Sequence, residues 1–364
     1  MLHRVPLNDV SRPARAIGEQ QTRALDRVLN RGRYILGPES ETFEQAFATY
    51  CGVSHAIGVA NGTDAIELAL RALGVQPGQA VVTVGNAGFY ATTALLAIGA
   101  VPIFVDVDPD TQLMSLDALR CVVDVASPQC VVVTHLYGRL ADVEGIIDVC
   151  TARGIPVIED CAQAHGARRG NRRAGSFGAA GCFSFYPTKN LGALGDGGAV
   201  VTGDVNIANR IRSLRQYGWD TKYRITRRHG RNSRLDEIQA AVLHAKLPYL
   251  DDWNSQRRDI ARRYTSEISH PGVKCPTGFG DDHVAHLYVI RCENRDGLRG
   301  HLESEGIATE IHYPIPDHHQ PAFDFNSSKL PVTERLAGEV LTLPCFPEMT
   351  DDEIIRVIRA VNAW

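Results

Sequence analysis

The sequence predicts an α/β protein, with a mainly parallel sheet wound with helices and a smaller C-terminal α/β domain behind it. Between about residue 55 and residue 202, short apolar runs alternate with helical patterns. That alternation marks parallel strands joined by crossover helices. After Thr202 helices take over, and the last of them, Leu250–Ile268, is long, charged and free of glycine and proline. Such a helix can connect two domains. With 364 residues, 44% of them hydrophobic, the chain can bury a large core and more than one domain.

The strand-like run Ala56–Ala60 leads into Asn61–Gly62–Thr63–Asp64–Ala65, which opens a helix over Asp64–Leu73. Further strands are expected at Ala80–Val84, Ile103–Val105, Cys130–Thr134, Val157–Ile158, Cys182–Phe185 and Ala199–Thr202. Each is short and apolar, as strands buried on both faces are. Val143–Arg153, Ile207–Tyr217, Leu235–Leu247 and Leu250–Ile268 read as helices. Beyond them, Val284–Arg291 reads as a strand, Gly297–Glu305 as a helix, Ala308–His312 as a strand and Asp351–Asn362 as a closing helix. This places a large domain at 1–245, its N-terminal segment an arm or first helix, and a small domain at 246–364.

A net charge of −4 gives no electrostatic reason to expect nucleic acid or an acidic membrane as partner. Met1–Arg12 lacks an apolar core of signal-peptide length, and no stretch approaches a transmembrane span. The nine cysteines are odd in number, form no CxxC pair and fall partly within apolar runs, as Cys130, Cys150, Cys182 and Cys292 do. A reducing cytoplasm is the expectation. The histidines form no HExxH motif, and no metal site is expected.

Chemistry concentrates in Glu159–Asp160–Cys161–Ala162–Gln163 and Ser184–Phe185–Tyr186–Pro187–Thr188–Lys189. Asp160 follows a buried strand, at the end where open α/β sheets place ligands. A carboxylate there can pair with the protonated nitrogen of pyridoxal phosphate (PLP), and a lysine amine in a partly desolvated site can join its aldehyde. Lys189 is that lysine, 29 residues on. Isolated, Asp160 reads equally as a helix cap and Lys189 as a surface charge. Gln163 can donate to the cofactor hydroxyl, while His165 reads as packing.

Gly62 and Thr63 at a helix N-terminus suit a phosphate, and the alternative is that Asn61 or Thr63 simply caps the helix. Ser184 is a second phosphate candidate or a turn hydroxyl. Gly195–Asp196–Gly197–Gly198 reads as a tight loop. Phe89 or Tyr90 is placed to stack on the cofactor face, or to sit in the core. Lys222, Arg224, Arg227, Arg228, Arg231 and Arg234 have no acid near them except Asp220. They read as a diphosphate-binding loop or, failing that, a solvated face.

Taken together, Asn61-Gly-Thr-Asp-Ala, Glu159-Asp-Cys-Ala-Gln, Ser184-Phe-Tyr-Pro-Thr-Lys-Asn-Leu, Gly195-Asp-Gly-Gly and Gly230-Arg-Asn-Ser-Arg-Leu-Asp-Glu resemble the DegT/DnrJ/EryC1/StrS sugar aminotransferases. The resemblance spans essentially the whole chain. It implies fold type I of the PLP-dependent transferases and a homodimer with shared active sites. By motif, Lys189 matches the Schiff-base lysine, Asp160 the partner of the pyridine nitrogen and Gln163 the neighbour of the ring hydroxyl. Gly62, Thr63 and Ser184 match the phosphate ligands, joined by Asn232 from the other subunit. Ile311-His-Tyr-Pro and its sequel resemble the enzymes that aminate C3 of dTDP-3-keto-6-deoxyhexoses, with L-glutamate as donor. Tyr186, His312, Tyr313, Arg227, Arg228 and Arg231 are then the substrate-binding candidates. Asn86-Ala-Gly-Phe-Tyr-Ala-Thr departs from the family's commoner Thr-Phe-x-Ala-Thr. The alternatives are a C4-keto-sugar or cyclitol aminotransferase, a sugar dehydratase of the same cofactor, which Lys189 disfavours, and a non-catalytic scaffold.

Overall fold

Short β-branched runs build a seven-stranded sheet ordered His55–Val59, Gly198–Thr202, Ala180–Ser184, Val157–Asp160, Cys130–Thr134, Ala80–Val84 and Val101–Val105 in a computed structural model that describes residues 4–325 and 328–364. Strands Ala80–Val84, Val101–Val105, Cys130–Thr134, Val157–Asp160 and Ala180–Ser184 pair in parallel. Gly198–Thr202 runs against both of its neighbours. It is joined to Ala180–Ser184 by the Lys189 loop, which contains no crossover helix, so the chain must reverse.

Alternate residues supply the two faces. Val81, Cys130, Val132 and Ile158 pack under the Gly62–Ala72 helix, whereas Val82, Val131, Val133 and Val157 face the opposite layer. That second layer includes the helix Pro38–Cys51. Its Phe43 and Phe47 meet Phe185 and Phe183 edge-on, at 5.4 and 4.9 Å between ring centroids. The strand end carrying Ser184 is therefore braced from behind.

Helix Leu250–Glu267 leads to a separate antiparallel pair, Tyr288–Arg291 with Val340–Leu343, around a third core that includes Tyr264, Tyr288, Leu298 and Phe346. The strand expected at Ala308–His312 does not form. Glu310 makes one bridge to Thr342, and Pro314 and Pro316 just beyond offer no N–H to extend a ladder. Near the N-terminus, Val5 bridges to Ile307, and Arg12 grips Glu353 at 2.6 and 2.8 Å. Leu7 and Asn8 are thereby held against the cleft described below. No helix among the described residues is long and apolar enough to cross a membrane.

Candidate active site

The carboxyl ends of the parallel strands, the start of the Gly62 helix and loops of the C-terminal region surround a cleft of about 870 Å3. Asn61 caps the helix, its Oδ1 accepting from Asp64 N at 2.8 Å. The N–H groups of Gly62 and Thr63 donate to no described residue, which leaves them for an anion. Glycine is required at 62 because a Cβ there would lie 2.7 Å from Cβ of Ser184. Gly198 is needed likewise, since its Cβ would strike the Asn61 carbonyl oxygen at 2.4 Å. The Gly195–Gly198 loop thus lets two strand ends approach the helix start. Ser184 Oγ also accepts weakly from Tyr186 N at 3.4 Å, the turn contact expected as its alternative role.

Asp160 ends its strand inside the cleft, accepting from Ala162 N at 3.1 Å and Thr134 Oγ1 at 3.3 Å. Burial pushes its carboxyl up, against the opposing effects of the Ala162 N–H and of Lys189. Its neighbour Glu159 points the other way and is fully enclosed. Glu159 accepts from Gly175 N, Phe177 N and Gly178 N at 2.9, 2.7 and 2.7 Å. His135 completes the set: its Nδ1 accepts from Ala141 N, so its Nε2 carries the proton and donates to Glu159 at 3.0 Å.

Lys189 reaches the same cleft from a turn closed by its N–H to the Tyr186 carbonyl at 2.8 Å. Burial lowers its amine to about 8, with Asp160 opposing the shift. Gln163 is gripped at both ends. Its Oε1 accepts from Tyr137 N at 2.6 Å, and its Nε2 donates to Tyr313 Oη at 3.2 Å. His165 lies between Phe183 and Phe185, and burial lowers it to about 3, so the packing expected for it is a neutral one.

Gly62, Thr63, Tyr90, Asp160, Gln163, Ser184, Tyr186, Lys189, His312 and Tyr313 all line this cleft. Phe89 does not. It adopts a left-handed φ of 70° and stacks on Phe323 at 5.1 Å, which turns its ring away and leaves Tyr90 on the wall. Arg231 departs from expectation too. Its guanidinium pairs with Glu67 and with Asp64, so the basic run is not free of acids in space. Arg224 pairs with Asp220 at 3.3 Å, while Arg227, Arg228 and Asn232 are exposed outside the cleft of this chain.

His286, Glu310, Leu7, Asn8 and Asp196 line the cleft without having been singled out as site residues. His286 had a signal, a polar residue in the run expected as a strand at Val284–Arg291; the strand starts only at Tyr288. Leu7 and Asn8 had none, because only the tertiary course of the N-terminus brings them there.

Fold and cleft together define an α/β enzyme with its ligand site at the strand ends. The sequence profile of the DegT/DnrJ/EryC1/StrS aminotransferase family matches residues 15–362, and the chain belongs to that family. It is similar to the dTDP-3-amino-3,4,6-trideoxy-alpha-D-glucose transaminase of Streptomyces venezuelae, 44% identical over 99% of this chain and 96% of that protein. It is also similar to the dTDP-3-amino-3,6-dideoxy-alpha-D-galactopyranose transaminase of Aneurinibacillus thermoaerophilus, 43% identical over 99% of both chains. Among solved structures, S. venezuelae DesV in complex with a ketimine intermediate superposes with a TM-score of 0.95, at 42% identity over 99% of this chain and 98% of that one.

Proposed function

We propose that the protein transfers an amino group from L-glutamate to C3 of a dTDP-linked 3-keto-6-deoxyhexose, using pyridoxal phosphate. The observation that carries this is a lysine amine lowered to about 8 by burial, in one cleft with a buried carboxylate and the N-terminal turn of the Gly62–Ala72 helix. The two relatives are both transaminases of dTDP-3-amino sugars, which favours C3 over C4.

The cleft fits the cofactor. Gly62, Thr63 and Ser184 form a cradle for its phosphate that a Cβ at residue 62 would fill. Asp160, short of donors and raised by burial, suits a protonated ring nitrogen. When bound, pyridoxal phosphate supplies an aldehyde that exchanges amino groups and a ring that accepts electrons. With the cofactor bound, Lys189 Nζ would carry the proton from Cα of L-glutamate to the cofactor, and in the second half-reaction carry one from the cofactor to C3 of the sugar. Asp160 holds the proton on the ring nitrogen throughout. Gln163, fixed by Tyr137 and Tyr313, keeps one amide hydrogen that would be available to the ring hydroxyl.

The charge balance of the cleft supports a homodimer with shared sites. Among the described residues, its lining holds one lysine and no arginine, against Asp64, Asp160, Asp196 and Glu310. Yet glutamate and a nucleotide diphosphate both bring anionic groups. Exposed Arg227 and Arg228, with Asn232, are suited to supply cations and an amide to a second copy. Residues from 286 onward complete the cleft lining, in keeping with a small domain 246–364 set against a large domain 1–245 whose N-terminal arm adds Leu7 and Asn8. All nine cysteines are free, which suits a reducing cytoplasm. Lys189→Ala should abolish formation of the aminated sugar nucleotide, followed by mass spectrometry; turnover at the wild-type rate would contradict the assignment.

A further inference from the structure

Asn190, the residue after Lys189, belongs to a buried chain of hydrogen bonds whose direction is set by backbone carbonyls. The carbonyl of His165 can only accept, so Asn254 turns its Nδ2 toward it at 2.8 Å. Asn254 Oδ1 is then the acceptor for Asn190 Nδ2, also at 2.8 Å. Asn190 Nδ2 donates a second bond to the carbonyl of Val284 at 3.2 Å, which fixes the same orientation independently. Asn190 Oδ1 must therefore accept, and His286 Nδ1, 2.8 Å from it, must carry the proton. Asn254 and Asn190 are 1% and 5% exposed, so water does not compete to reverse the order.

Burial, reinforced by nearby Lys189, holds the His286 imidazole well below its ordinary range and hence neutral. Its second nitrogen, Nε2, keeps a bare lone pair and bonds to no described residue. His286 is part of the cleft wall formed with Leu287, His312 and Tyr313.

We propose that His286 Nε2 is a specificity-determining acceptor that takes a hydrogen bond from a hydroxyl of the substrate hexose. This rests on the sugar-nucleotide reading above. A lone pair repels carboxylate, phosphate and ketone oxygens, which can only accept. The glutamate amino group is the reacting group and is engaged elsewhere. The thymine N3–H and the deoxyribose hydroxyl are also donors, but the diphosphate separates them from the reacting carbon, whereas His286 is close enough to Lys189 to sense its charge. A hexose hydroxyl is therefore the donor in reach, and the wall with His312 and Tyr313 is distinct from the phosphate cradle of Gly62, Thr63 and Ser184.

Binding of dTDP-glucose and of dTDP to the holoenzyme, measured by calorimetry for wild type, His286→Phe and His286→Gln, tests this. His286→Phe should weaken dTDP-glucose by about five- to tenfold and leave dTDP within about twofold. His286→Gln, whose Oε1 can accept, should recover most of the loss. In 15N spectra of histidine-labelled wild type, His286 should be protonated at Nδ1 and bare at Nε2. Equal losses for both nucleotides, no loss for either, or a protonated Nε2 overturns the inference. If wild type binds neither nucleotide, the sugar-nucleotide reading falls with it; if wild type prefers dTDP-glucose and His286→Phe retains that preference, only the role of His286 falls.

Discussion

The carboxylate of Asp317 accepts the backbone N–H of Phe89 at 2.9 Å, across 228 positions of sequence. The same carboxylate accepts from Thr92 Oγ1 at 2.6 Å, so the helix that starts at Tyr90 is capped by a residue from the C-terminal part of the chain. Phe89, formally the cap residue, makes no side-chain cap bond of its own. Tyr90 and Tyr313, 6.1 Å apart on the cleft wall, are held in register by this contact.

Asp317→Ala should therefore destabilise the fold by about 1–3 kcal/mol, read from urea midpoints. The effect has a pH signature. Burial raises the Asp317 carboxyl to about 6 in the folded protein, above its ordinary value, so the folded state holds the proton more tightly. The contribution of this group to stability grows as pH falls through 6 toward 4. The gap between wild type and Asp317→Ala should widen by about 1–2 kcal/mol from pH 7 to pH 4.5. A gap that stays constant or narrows would show that Asp317 is not a buried, proton-retaining cap.

Glu159 accepts three backbone N–H groups and His135 Nε2 with no exposure to water. Glu159→Gln sets an amide NH2 against donors. It should cost about 3 kcal/mol or more and loosen the strand end that carries Asp160. Thermal melts with and without cofactor measure both effects. An unchanged melting temperature would mean the Gly175–Gly178 loop is held by other contacts.

Why some of this was readable and some not follows from the range of the interactions. Ala80–Val84 and Cys130–Thr134 match their expected limits because a strand buried on both faces must be a continuous apolar run bounded by polar residues. Val340–Leu343 escaped notice because it continues directly from the helix Pro331–Glu339 with no turn residue between them. The motifs around Asp160 and Lys189 brought together a real cleft, since each lies at the end of a local strand. Arg231 misled because its partners Glu67 and Asp64 are 164 and more positions away, and linear charge patterning does not see them. Phe89 and Tyr90 could not be separated by pattern, since a single left-handed residue decides which ring faces the cleft.

The arginines of the basic loop should now divide. Arg227→Gln with Arg228→Gln should raise the KM for the sugar nucleotide about tenfold or more and leave that for L-glutamate nearly unchanged. Arg231→Gln should instead weaken cofactor retention and lower the melting temperature, because it leaves buried Glu67 and Asp64 at the start of the cradle helix with less compensation. A sugar-specific KM effect from Arg231→Gln alone would restore it to the substrate site.

Lys189 has a pH test that requires no turnover. With its amine lowered to about 8, the neutral form that attacks an aldehyde is present as about one-tenth of the protein at pH 7. Covalent capture of pyridoxal phosphate by cofactor-free protein should accelerate with rising pH and level off above about 8. A rate still climbing steeply at pH 10 would indicate an ordinary, solvated lysine.

The most direct measurement is the near-visible spectrum of the cofactor-loaded protein during two successive additions. L-Glutamate should bleach the yellow band and release 2-oxoglutarate, and a dTDP-3-keto-6-deoxyhexose should then restore the band and yield the 3-amino sugar. A band that glutamate leaves intact, or a bleached form that the keto-sugar does not restore, would contradict amino transfer between these two substrates.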